Sequence, residues 1–95
     1  GDDKPRVGAV NGIPLEAELG ANVLFVTNED KPGFIGNLGR TLGEAGINIA
    51  TFDLGRIEAG NAAVALINTD EPVDEGTLEK VRSLPNVVQA ESLHL

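Results

Sequence analysis

The chain has 95 residues, enough for one small domain and too few for two full cores. Fifteen acidic residues oppose seven basic ones, and a net charge of −8 repels phosphate backbones and anionic lipid, so nucleic acid and membrane surfaces are poor partners. There is no cysteine and the only aromatic residues are three Phe, which excludes thiol catalysis, disulfides and thiolate metal sites and disfavours base-stacking platforms.

In chain order, Gly1-Asp2-Asp3 reads as a cloning remnant or a fragment edge. Residues 6–10 and 13–18 flank Asn11-Gly12, a dipeptide that suits a two-residue hairpin turn because both central positions need positive φ. After Gly20 as a link, "NVLFVT" (22–27) predicts a strand whose apolar residues run without alternation. Pro32 fixes φ and lacks a donor, so it belongs at a helix start. From Gly33 to Ala45, the residues Phe34, Ile35, Leu38, Leu42 and Ala45 fall on one stripe at helical spacing, and Gly46 stands where a left-handed terminator is expected. Residues 47–56 and 61–69 read as two strands joined by the turn "IEAG". Residues 73–84 form a second helix with Leu78, Val81 and Leu84 inward. Its acids Asp74 and Glu75 come early and Lys80 and Arg82 late, as the helix dipole favours. Pro85 ends it, and residues 86–95 supply a last strand. Nothing resembles a signal peptide or a transmembrane run, so the expected compartment is the cytoplasm.

From residue 22 this order is β-α-β-β-α-β. It predicts an α+β, ferredoxin-like fold, an antiparallel sheet with two helices on one face, extended by an N-terminal hairpin. A sheet covered on one face should alternate in polarity, yet "VLFV" and "AAVALI" do not. The second face or an edge is therefore expected to be covered by the hairpin, by a partner chain, or by both.

At about 100° per residue, Gly36, Gly39 and Gly43 share one flank of the first helix, with Gly33 near it. Each interior glycine costs about 1 kcal/mol relative to alanine, so a bare flank points to close approach of a ligand or a neighbouring chain. A phosphate cradle does not fit. The spacing is GxxGxxG, the Gly-Lys-Ser/Thr of a P-loop is missing, and Glu29 and Asp30 line the approach. Two carboxylates at the mouth suit a ligand that carries a cation as well as an anion, which describes an amino acid. The N–H groups near Gly33, Phe34 and Ile35 are placed to hold its carboxylate. Asn28 or Asp30 is placed to take its ammonium, or else one of the two caps the helix. Asn48, beside Gly46, is either a further contact or an ordinary polar residue at a strand start.

The run "NEDKPGFIGNLGRTLGEAGINIATFDLGR" resembles the start of an ACT domain, the small-molecule-sensing module of amino-acid metabolism. More narrowly, its DKPG-x-IG-x-LG, LGEAGINIA and LGR segments resemble the C-terminal regulatory domain of D-3-phosphoglycerate dehydrogenases. "KPRVGAVNGIPLEAELG" is similar to the tail of the domain that precedes it in the longer forms, which divides the chain into a tail (1–20) and a regulatory domain (21–95). The iron–sulfur L-serine dehydratase β chain carries a similar ACT tail.

The resemblance implies L-serine, or another small amino acid, bound as feedback inhibitor between paired domains, in a homodimer or higher homo-oligomer. The family's contact positions fall on Asn28, Asp30 and Asn48, the first two departing from the His and Asn of the serine-inhibited bacterial form. It implies no catalytic residue, metal or cofactor in this chain, with NAD in the parent enzyme. An acylphosphatase-like enzyme on the same plan needs an arginine in the first strand-to-helix loop. Here that loop offers Lys31, while Arg40 lies on the helix, Arg56 reads as a solvated strand-end charge, and His94 ends the chain with no carboxylate partner. A structural module that pairs and binds nothing small is the other alternative.

Overall fold

The computed structural model describes residues 6–10, 13–56 and 62–94. Its elements are β1 (Arg6–Val10), β2 (Ile13–Glu18), β3 (Asn22–Glu29), α1 (Phe34–Glu44), β4 (Ile49–Arg56), β5 (Ala62–Thr69), α2 (Glu75–Arg82) and β6 (Val87–His94). The predicted element order holds throughout. The turns expected at residues 11–12 and 57–60 lie outside the described residues.

β1 and β2 pair antiparallel as a separate ribbon, and the other four strands form a sheet in the order β4-β5-β3-β6 with every neighbour antiparallel. On one face Leu24 and Val26 of β3 and Ala65 and Ile67 of β5 pack against Phe34, Leu38 and Leu42 of α1 and Leu78 and Val81 of α2. On the other face Val23, Val64 and Leu66 form a second apolar cluster with Leu19 and Phe25 against it. β2 lies along β4 and touches β5. Central strands covered on both faces need no alternation, which accounts for the unbroken apolar runs. β5 is buried from Ala63 to Thr69.

The ends of α1 follow from local chemistry. Gly33, the N-cap, has φ 89, a left-handed conformation that costs glycine nothing. At the other end Gly46 has φ 76. Its N–H donates to the Gly43 carbonyl at 3.0 Å, and the Ile47 N–H donates to the Leu42 carbonyl at 3.0 Å. This is a Schellman termination, completed by burial of Ile47 in the cluster that holds Leu42.

One expectation for α1 is corrected. Ile35 and Ala45 do not join the inner stripe: Ile35 is 54% exposed, and Ala45 is exposed too. Phe34, Leu38 and Leu42, spaced four apart, form a single inward row, and Ile35 is turned about 100° away from it onto the glycine side.

α2 is held to β6 through Arg82. Its Nε donates to the Ala90 carbonyl at 3.1 Å, and Nη1 reaches Glu79 at 2.8 Å and Glu75 at 3.2 Å. β4 is an edge strand and exposes most of its first half, including Ile49. Among the described residues no helix is long and apolar enough to cross a membrane.

Candidate functional site

β3 ends at Glu29, and the chain must reverse within a few residues to enter α1. Pro32 and Gly33 make that reversal, and the first helical hydrogen bond runs from the Asn37 N–H to the Gly33 carbonyl at 3.0 Å. The N–H groups of Phe34, Ile35 and Gly36 thus precede any intrahelical acceptor. No side chain caps this end and no acid stands in the first turn, so the positive end of the helix dipole is uncompensated.

Beside it, the end of β4 supplies two side chains. The register sets Arg56 opposite Ala63, and Ala63 opposite Asn28, so the three lie in one row across the end of the sheet. Phe52 and Leu54 pack on the helix-side core, and by strand alternation Arg56 shares their face. The Arg56 Nε lies 2.8 Å from Asp30 Oδ2 in an ion pair. Around this ion pair lies a cleft of about 390 Å³ lined by Asp30, Lys31, Gly33, Ile35, Leu54 and Arg56, with Phe34 and Gly36 also at its wall. That volume is at the small end of the range of small-molecule sites, about 300–1,000 Å³. Lys31, Arg56 and the helix terminus face a single carboxylate, Asp30, so this cleft is locally cationic on a chain of net charge −8.

The structure brings together Asp30, Gly33, Phe34 and Ile35. It does not add Asn28, which is buried at 1% exposure and does not line the cleft. The Asn28 Nδ2 donates to the Glu29 carbonyl at 3.0 Å, while its Oδ1 is buried with no hydrogen-bond partner among the described residues. Neither Asn28 nor Asp30 caps α1, because the amide is turned onto its own strand end and the carboxylate is taken by Arg56.

Asn48 lies at the opposite end of α1, whose 11 residues span about 16 Å. Its N–H donates to Glu71 Oε1 at 2.8 Å and its carbonyl accepts from the Asp70 N–H at 3.0 Å. The side-chain amide stands in solvent, with no hydrogen bond to the described residues. Within one chain, Asn48 and Asp30 do not meet.

The glycine flank is bare. A Cβ built on Gly36, Gly39 or Gly43 meets nothing within 4 Å. Beside these glycines the exposed Ile35 is the flank's large apolar side chain.

Arg56 keeps the exposure expected of a strand-end charge, at 63%, and it is also ion-paired at the wall of the cleft, a place that sequence reasoning does not assign it. The signal lay in the topology. β3 and β4 both flank β5 antiparallel, so they run parallel to each other and their C-terminal ends share one end of the sheet. His94, by contrast, sits on the exposed edge with Nδ1 at 3.2 Å from Asn22 Oδ1.

A four-stranded antiparallel sheet with two helices on one face, and a small cleft where β3 feeds α1, define a small α+β module. Residues 22–86 match the ACT domain family, and the chain belongs to that family. It is 34% identical over 94 residues to a D-3-phosphoglycerate dehydrogenase of Methanocaldococcus jannaschii, a match covering 99% of this chain and 18% of that protein. It is 28% identical to a D-3-phosphoglycerate dehydrogenase of Bacillus subtilis, over 95% of this chain and 17% of that protein. A probable L-serine dehydratase β chain of Bacillus subtilis is 27% identical over 94% of this chain and 40% of that protein. The chain thus spans less than half the length of these relatives. In fold it is similar to the solution structure of the ACT domain of a GTP pyrophosphokinase from Chlorobium tepidum, with TM-score 0.52 and 23% identity over 76% of this chain and 83% of that one.

Proposed function

We propose that this chain is the regulatory ACT domain of a D-3-phosphoglycerate dehydrogenase and binds L-serine as a feedback inhibitor where two copies meet. The observation that carries the reading is the cleft at the start of α1. It joins an uncapped helix terminus to an aspartate in a space suited to a small molecule. In the proposed complex the serine carboxylate lies at the N–H groups of Phe34 and Ile35, and the ammonium lies at Asp30. The separation of Asn48 from Asp30 supports a shared site. If the bare flanks of two α1 helices pack antiparallel, Asn48 of the second copy comes to the cleft of the first. β4 ends the sheet with no strand hydrogen-bonded to its outer side among the described residues, which supports the same arrangement, since those backbone groups can continue the sheet into a second copy.

The parent would carry NAD and the chemistry elsewhere and act in the cytoplasm, with residues 1–20 as the tail of its preceding domain. This chain contributes regulation only. Serine inhibits to the extent that it prefers the arrangement that disfavours the active parent, and by no more than that preference.

Heat unfolding with and without millimolar L-serine, D-serine and glycine tests the reading, because binding to the native state raises the midpoint by mass action. L-serine is expected to raise it, and Asn48→Ala to abolish the rise while the dimer persists. A midpoint unmoved by L-serine in a dimeric sample would leave a purely structural pairing module. The likeness to an L-serine dehydratase β chain supports a second reading, in which the same domain serves that enzyme.

A further inference from the structure

We propose that Arg56 and Asp30 act as one two-ended clamp for a zwitterion, with Arg56 the residue that selects for the ligand's carboxylate. The proposal rests on the amino-acid-binding reading and assigns a specificity role to a residue outside it.

The pair touches at a single point, Nε to Oδ2 at 2.8 Å. Asp30 Oδ1 and both terminal nitrogens of Arg56 make no other hydrogen bond or ion pair among the described residues. A guanidinium presents five donors in a fixed plane, so up to four N–H groups are left by the described residues for an acceptor. Both side chains open to the cleft, Arg56 at 63% and Asp30 at 34% exposure. An ion pair this exposed adds little to folding stability, so fold maintenance is a weak reason for it.

An α-amino acid carries its ammonium and carboxylate on one carbon. Laid head to tail along the pair, it places the ammonium on Asp30 Oδ1 and the carboxylate between the terminal nitrogens of Arg56 and the N–H groups at the start of α1, all at the wall of one cleft. The Asp30–Arg56 contact need not break, and no charge is left unmatched. The rest of the wall explains why the carboxylate is obligatory. With Lys31, Arg56 and the α1 terminus against one aspartate, an amine lacking a carboxylate meets net repulsion. A 2-hydroxy acid satisfies Arg56 and leaves the Asp30 oxygen facing a hydroxyl in place of a cation.

The test titrates L-serine, glycerate and ethanolamine calorimetrically into the wild-type chain, Arg56→Gln and Arg56→Lys. Wild type is expected to bind L-serine and neither analogue. Arg56→Gln should weaken L-serine at least about tenfold, the loss of one charge-assisted hydrogen bond. Arg56→Lys should recover part of that loss by keeping the charge without the fork. L-serine binding equally to wild type and Arg56→Gln overturns the clamp and leaves the amino-acid reading standing. Serine binding to neither overturns both. If Arg56→Gln does not fold, Arg56→Lys decides, and affinity equal to wild type overturns the clamp. Ethanolamine bound as tightly as serine by wild type overturns it as well.

Discussion

Leucine in place of Gly39 separates two accounts of the first helix by the sign of its effect. In the isolated chain the position is helical and a Cβ there meets nothing within 4 Å, so a side chain starts out into open space. Helix propensity alone then favours leucine over glycine by about 0.8 kcal/mol. For a chain of this size each kcal/mol moves the unfolding midpoint by about 4–8 °C, so the monomer should melt about 3–6 °C higher. In a two-fold pair of α1 helices the substitution occurs twice at one contact. Forcing extra carbons into a close-packed contact costs about 1–3 kcal/mol per site, or about 2–6 kcal/mol per pair. At about 1.4 kcal/mol per tenfold, that weakens the dimer by about one to four decades. Sedimentation equilibrium reads the association constant, and melts at low and high protein concentration read the monomer and the pair. We expect Gly39→Leu to raise the dilute midpoint and weaken self-association. A variant that associates as tightly as wild type and melts higher at every concentration would refute the reasoning, since the flank would then be free in the assembly.

Three further outcomes follow from single contacts. Gly46→Ala should destabilise by about 1–2 kcal/mol because its φ of 76 is left-handed, and it should leave association untouched; an unchanged midpoint in urea would show that the Schellman end relaxes. Asn28→Leu removes a buried oxygen that has no partner among the described residues, while the Glu29 carbonyl keeps the Lys31 N–H as donor at 2.9 Å, so stability should rise by about 1 kcal/mol; a lower midpoint would mean that Oδ1 is satisfied in solution. Asn68→Ala deletes the acceptor of the Gly20 N–H at 2.6 Å and the donor to Thr51 Oγ1 at 2.6 Å, costing about 1–3 kcal/mol and exposing the Gly20 amide to faster hydrogen exchange; unchanged protection at Gly20 would show that this side chain does not tie the link after β2 to the sheet.

What was legible in the sequence was what local rules decide. Pro32, Gly33 and Gly46 bracket α1 because each answers a backbone constraint within a turn or two, and Pro85 closes α2 in the same way. The inward row of α1 was legible at Phe34, Leu38 and Leu42 and misread at Ile35, because a stripe drawn wide enough to include adjacent residues spans more than the core covers. The Asp30–Arg56 pair was not legible, since it depends on strand register across the whole sheet. A slip of one residue would send Arg56 to the opposite face. The β4–β5 register also shifts between Ile49 and Thr51, a bulge that no residue there announces. The placement of Asn28 was not legible for a related reason. Its polarity suggests a ligand contact, and alternation along β3 sets it on the same face as Leu24 and Val26, in the buried layer beneath the helices.

In the proposed reading the site is divided along α1, and that has a consequence for regulation. The N-terminal half, with Asp30, Arg56 and the free N–H groups, lies about one helix length from Asn48, and no movement within so short a helix brings them together. A ligand that needs both halves must therefore draw on two copies, and antiparallel helices repeat that junction at each end. Binding and association are then linked by necessity: the factor by which pairing tightens the ligand equals the factor by which the ligand tightens pairing. In the proposed pair, bare glycines at the crossing would serve this linkage better than a fully interlocked leucine seam. A contact strong enough to stay closed alone would leave the ligand no equilibrium to shift, whereas a close but featureless approach leaves the two arrangements near balance, where a small zwitterion at each end can decide between them.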